Sequence, residues 1–228
     1  TLEHVVGRRF VPKGKLNAQW NLLLNACEVC NGKKSDLEDD ISAITMQPDV
    51  TGAHPHGDAD AAAEAERKGK GAISRRTKKL VRDSRENVTI TAPFGSGATF
   101  TFNFVSPPQL EEDRAFELAR MQLTAFFYWI TYSADARRGY YWTGGFHPVM
   151  CLSHADWGNP VMVAFADAVA EWEPRVFAGC ADGFYKVAIR RHPSAECWSW
   201  AVEWNHTTRL IGFFGQLDPA REIAAGFP

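Results

Sequence analysis

The chain lacks the features that would place it in several broad classes. No stretch of about 18 apolar residues occurs, and the most apolar run, over 123–130, is too short to span a bilayer, so no membrane segment is expected. No leader pattern opens it, so no signal peptide is expected either. The net charge is only −2, which excludes a global electrostatic attraction to nucleic acid and leaves any such contact to a local patch. Five cysteines are too few and too scattered for the framework of a small secreted domain: Cys27 and Cys30 are close, while Cys151, Cys180 and Cys197 stand alone. A reducing cytoplasm is the expected compartment. Internal repeats, coiled-coil heptads and low-complexity tracts are absent. An initiator Met is absent too, and because Thr1 lies directly against the most informative segment, native sequence upstream is expected.

What is present is apolar and aromatic. Hydrophobic residues make up 45% of 228, with eight Trp and fifteen Phe, enough for a sizeable core. That length admits one large domain or a small module joined to a larger one. Residues 1–46 are dense in motifs, beginning with the β-prone Leu2-Glu3-His4-Val5-Val6 and a Gly/Pro/Lys loop over 11–15. Ser35-Asp36-Leu37-Glu38 has the Ser-x-x-Glu form of a capping box and predicts a helix starting there, with Leu37, Ile41 and Ile44 on one face. Residues 47–60, rich in Pro, Gly, His and Asp, predict a loop or linker.

From Ala61 the pattern turns helical and charged. Between Arg67 and Glu86 nine Lys or Arg oppose two acids, a local excess of seven positive charges. Such a run is a solvated helix face or a track for a phosphate backbone, the latter led by Arg75, Arg76, Lys78, Lys79 and Arg82. Residues 88–92 and 99–105 alternate around a Gly-containing turn and predict a hairpin. Residues 111–131 form the best helix pattern, with acids in the first turn. A helix over 160–172 and strands over 184–191, 197–204 and 209–214 predict an α/β body ending in an antiparallel meander. Trp198, Trp200, Val202 and Trp204 fall on one strand face. The rings at 126–129 and 140–142 are read as core in preference to a base-stacking platform. The downstream histidines His147, His154, His192 and His206 are scattered through turn-like contexts, only His154 having an acid nearby, Asp156, and are expected to be structural.

Glu3-His4, then Asn21-Leu22-Leu23-Leu24, then Cys27-Glu28-Val29-Cys30-Asn31-Gly32-Lys33-Lys34-Ser35-Asp36 resembles, in that order, the HNH endonuclease family over about the first 46 residues. The resemblance implies a ββα-metal module over 1–50; the composition shift over 47–60 and the patterns after it divide off a linker and basic helix over 51–86 and a substrate- or partner-selecting α/β domain over 87–228, making an α+β protein with antiparallel strands. It implies phosphodiester hydrolysis with a divalent cation, Mg²⁺ or Mn²⁺. His4 would be the general base, Glu3 and Asn31 the metal ligands, Asn21 the loop residue that orients the His4 region, and Lys34 a neighbour of the scissile phosphate. Asn17 and Asn25 are alternatives to Asn21. The chemistry suits these types: hydrolysis needs an activated water and a cation to absorb transition-state charge, imidazole ordinarily titrates near neutrality, and hard oxygen ligands suit Mg²⁺. Glu3 is longer than the Asp common in the family, and Gly7 stands where many relatives have Pro.

Cys27-x-x-Cys30 looks like half of a structural Zn²⁺ site without an upstream pair; either that pair is missing with upstream sequence or the thiols pack beneath the helix. The expected partner is nucleic acid, DNA favoured, with a protein partner or homodimer also open. Three functions compete: a nuclease, of the kind found in bacterial restriction and phage defence; a non-catalytic nucleic-acid-binding module on the same scaffold; and a nuclease effector governed by a C-terminal interaction or sensing domain.

Overall fold

The structure, a computed structural model, describes residues 2–17, 19–49, 52–54, 57–95, 97–154 and 158–227. It is an α+β protein. Strand β1 (Leu2–His4) pairs antiparallel with β2 (Leu23–Asn25), and helix α1 (Glu28–Thr45) follows at once, so the first 45 residues make a ββα unit. Helix α2 (Ala59–Gly71) leads through a short 3-10 turn to the hairpin β3 (Glu86–Phe94) and β4 (Ala98–Ser106). Helix α3 (Glu112–Ile130), strand β5 (Gly145–Ser153), helix α4 (Pro160–Ala168), strands β6 (Glu173–Cys180), β7 (Tyr185–Arg191), β8 (Cys197–Trp204) and β9 (Thr208–Gly215), and helix α5 (Leu217–Ala224) complete the chain.

Strands β5 to β9 form one antiparallel sheet in the order β5-β9-β8-β7-β6. The meander expected from three strands is a four-stranded one, flanked on its β9 side by β5. Both added strands, β5 and β6, contain proline, which demotes a strand signal and is tolerated at the sheet edges they occupy. The turn before β9 holds Asn205 and His206 at φ 51° and 59°, a left-handed pair that Asn accepts more readily than most residues. The period-two pattern of β8 divides the sheet as expected. Trp198, Trp200, Val202 and Trp204 face α3 and the ββα unit, where the main core also takes in Phe10, Leu37, Leu118, Leu123 and Phe126. Cys197 faces the other way, with Ile211 and Phe213 of β9, and packs under α4 and α5 through Phe165 and Ala220.

The ββα unit therefore shares its core with the sheet. Phe10 meets the Trp204 ring edge-on at 5.5 Å, and the Asn205 side chain donates to the Phe10 carbonyl at 3.2 Å and to Thr45 Oγ1 at 2.8 Å. Hairpin β3–β4 is different: Ile90, Phe100, Phe102 and Phe104 are 44% to 50% exposed on one of its faces. Among the described residues no helix is long and apolar enough to cross a membrane.

Three expectations are corrected. Helix α1 begins at Glu28, seven residues before Ser35, because Cys27 caps it: its Sγ accepts the Cys30 N–H at 3.2 Å. Ser35 is thus mid-helix. Helix α2 ends at Gly71, so Arg75, Arg76, Lys78, Lys79 and Arg82 do not share a helix face; the first four follow it in an irregular turn closed by an Ile73–Leu80 bridge, with Lys78 at φ 60°, and Arg82 lies in the 3-10 turn after that. Two glycines, Gly69 and Gly71, weaken the helix at that end. Helix α4 likewise stops at Ala168, not near 172.

Candidate functional site

The site is assembled by the ββα unit. Leaving β1, the chain runs through a long loop and returns as β2, which leads directly into the Cys27-capped helix. This sequence of elements brings Glu3 and Asn31 to one open cleft of about 520 Å³, together with Glu28 and Glu38 and the guanidinium side chains of Arg8 and Arg9.

Asn21 closes the loop. Its Nδ2 donates to the Val6 carbonyl at 2.7 Å and its Oδ1 accepts the Val6 N–H at 3.3 Å, a two-point bond just past His4. No such bond engages Asn17 or Asn25 among the described residues. Asn21 thus ties down the chain two residues beyond His4.

Glu3 and His4 are neighbours on a strand, so their side chains leave opposite faces. Glu3 turns toward α1, where its Oε1 accepts from Lys34 Nζ at 3.0 Å. His4 pairs across the strands with Leu23 and does not line the cleft; its imidazole is half-buried, and the enclosed Nδ1 has no hydrogen-bond partner among the described residues. The structure thus brings Glu3 and Asn31 to one cleft and leaves His4, expected beside them, outside its lining.

Lys34, expected beside the scissile phosphate, does not line the cleft. It is 7% exposed and held between two carboxylates, Glu3 and Glu38, the second at 2.8 Å. Burial pushes the Glu38 carboxyl up, opposed by Lys34 and by the Gly7 N–H, which Glu38 accepts at 3.0 Å. A Cβ at Gly7 would collide with the Glu38 carboxylate, which explains glycine at this position. The sequence does not mark Glu38, Arg8 or Arg9 as site residues. The i,i+4 spacing of Lys34 and Glu38 was a usable signal, obscured because Glu38 also completed an apparent capping box.

The basic segment lies elsewhere. Arg75 bonds Asp36 at 2.6 Å through its side chain and Asp40 at 2.9 Å through its backbone N–H. At about 100° per residue, Asp36 and Asp40 lie roughly 140° to 180° around α1 from Asn31, so Arg75 packs against the back of the helix that carries the cleft. Arg76 pairs with Glu86, Arg82 with Asp83, Arg67 with Glu64 and Lys70 with Glu66. Lys68 is buried, which pushes its ammonium down to about 8, and donates to the Arg9 carbonyl and Ser42 hydroxyl. Much of the charge excess is spent on holding the fold. Arg75, Arg76 and Lys78 do line a separate cleft of about 650 Å³, opposite Glu111 and Glu112.

Cys27 and Cys30 are exposed, so they do not pack beneath the helix. Their mutual hydrogen bond lowers the Cys27 thiol and raises that of Cys30. Among the described residues no three His, Cys, Asp or Glu side chains are grouped to hold a metal. A second pair for tetrahedral Zn²⁺ is thus missing among them, and a cation at the Glu3–Asn31 cleft would keep much of its water, as Mg²⁺ does. The donors at that cleft are all oxygens, which fits a hard cation.

Three downstream histidines have structural contacts. His192 Nδ1 accepts from the N–H groups of Ser194 and Ala195, His147 sits at 3.4 Å from the Gly215 carbonyl, and His206 packs edge-on against Phe184. Asp156, the acid near His154, lies outside the described residues. The chain matches no protein-family model, no curated protein and no solved structure.

Proposed function

We propose that the chain is a metal-dependent nuclease that hydrolyses phosphodiester bonds in nucleic acid, DNA in preference. The observation that carries this reading is the cleft itself: residues 28 positions apart in the chain, Glu3 and Asn31, share it because a ββα unit folds them together. Glu3 and Asn31 would hold a divalent cation, Mg²⁺ or Mn²⁺, which when bound stabilises negative charge on the phosphate. Arg8 and Arg9 are exposed, line the same cleft and are without ion-pair partners among the described residues, and in this reading they would receive the phosphodiester. The role of base falls to His4 on the resemblance alone: it is the only imidazole in residues 1–50, and it stands on the face of β1 opposite Glu3. Its unbonded Nδ1 is the kind of enclosed polar atom that a bound water satisfies. Asn21 keeps the backbone beyond His4 in place.

A second reading, a ββα scaffold that binds nucleic acid without cutting it, draws on Lys34, whose ammonium already engages Glu3. Nicking of supercoiled plasmid separates the two. Cleavage is expected with Mg²⁺ or Mn²⁺, loss with EDTA, and loss in His4→Ala with folding intact. No cation-dependent nicking by the wild type would leave the binding module, and full nicking by His4→Ala would place the base elsewhere.

A further inference from the structure

Exposed Trp and Tyr side chains, unlike the exposed Phe of the β3–β4 hairpin, are concentrated in one stretch. Six of residues 128–142 are Trp or Tyr. Trp142 turns inward and stacks on Phe214 at 4.3 Å, but Trp129, Tyr132, Tyr140 and Tyr141 are 46%, 54%, 46% and 69% exposed. Trp20, 47% exposed, joins them with its ring 6.0 Å from that of Trp129. It is the residue immediately before Asn21, so the surface begins beside the loop that holds the candidate site.

Trp129, Tyr140 and Tyr141 are held in place by neighbours. Tyr141 lies 5.9 Å from the Tyr128 ring, and Thr131 Oγ1 accepts the Tyr140 N–H at 2.9 Å, tying the loop to the end of α3. The loop returns so close that a Cβ at Gly139 would strike the Tyr128 carbonyl. A guanidinium accompanies the rings: that of Arg138 lies 5.6 Å over the Tyr140 face, and Arg137 beside it is also exposed. Asp135 is the only acid in the stretch.

Fixed rings with open faces, interleaved with arginine and poor in carboxylate, match a ligand that has flat π faces and an anionic backbone. Unpaired nucleotides have both, whereas a duplex hides its base faces within its own stack. We infer that Trp20, Trp129, Tyr132, Tyr140 and Tyr141, with Arg138, form a stacking surface for single-stranded or locally unpaired nucleic acid, which rests on the nuclease reading and narrows its substrate.

The test is binding of a fluorescent oligothymidine and of a hairpin duplex to the full chain in EDTA, so that affinity is read without cleavage. Oligothymidine should bind more tightly than the duplex. Trp129→Ala with Tyr141→Ala should weaken it by roughly a hundredfold, about tenfold per ring, while Tyr141→Phe keeps the affinity. Should Trp129→Ala unfold the protein by circular dichroism, Tyr141→Ser at the most exposed ring should still cost about tenfold. Equal affinity for the two probes, or ring variants that bind as wild type does, would overturn the inference; ring-dependence for a protein or glycan alone would do the same. Ring-dependent oligothymidine binding by a protein that never nicks plasmid would sustain the surface and remove the nuclease.

Discussion

In the C-terminal sheet, β8 is joined on both sides by unbroken antiparallel ladders, and its inward residues Trp200 and Trp204 are 1% and 0% exposed. In the N-terminal unit, β1 and β2 share three residue pairs, and the cleft beside them is fixed by polar bonds from Asn21, Lys34 and Glu38. The sheet is held by area, which many substitutions dent without redirecting. The cleft is held by a few directional bonds, each of which sets the position of a chemically useful group. A region built in the second way can present carboxylate, amide and guanidinium groups to solvent at defined places, at the cost of a buried ion pair that must stay complete.

The contrast breaks most sharply in the sheet. Trp204→Ala removes a fully buried ring and the bond from its Nε1 to Gln122 at 3.1 Å, and should cost about 3 to 5 kcal/mol in urea unfolding of the whole chain. Loss of the ββα unit alone, with the sheet still folded, would show that the two regions do not share a core.

Removing an ion inside the cleft should cost nearly as much. Lys34→Met leaves Glu38 buried without its cation, for about 3 kcal/mol at neutral pH. Burial already raises the Glu38 carboxyl, so in this variant the folded state holds its proton more tightly than the unfolded chain does. Stability should therefore fall as pH rises from the ordinary carboxyl value of about 4.5, and the penalty should shrink on acidification. Adding Glu38→Leu should recover most of the loss; a double variant no better than the single one would show that the pair is not the unit of stability.

The smallest effect on folding belongs to Asn21→Ala. It deletes both bonds to Val6 and should cost about 1 to 2 kcal/mol. Plasmid nicking should drop much further than that loss explains, because the chain beyond His4 is released. Nicking that tracks stability alone would return Asn21 to an ordinary loop pin.

Much of the sheet was legible in the chain. The alternation of Trp198, Trp200, Val202 and Trp204 set which face of β8 goes inward, and the acidic start of 111–131 marked α3 to within a residue at either end. Strands β5 and β6 were not legible, since Pro148 and Pro174 interrupt them and only their edge positions make those prolines harmless. The start of α1 was misread because a cysteine cap is rare beside a Ser-x-x-Glu signal that the fold leaves unused. Composition favours core for the rings at 126–129 and 140–142, and which of them turn outward depends on how the loop after α3 is tied back.

By itself the sequence determined the local pieces: a short β-prone run bearing Glu3 and His4, a helix with Leu37, Ile41 and Ile44 on one face, an alternating aromatic strand, and a count of charges. Local pattern is enough for these because periodicity and turn chemistry act over a few residues. Only the tertiary structure decided that Lys34 is consumed between Glu3 and Glu38, that Arg8 and Arg9 enter the cleft while Arg75 lies behind α1, and that Trp20 meets Trp129. Those outcomes depend on which opposite charge or ring lies within a few ångströms, and the partners come from elements dozens of positions apart, where no local period reaches.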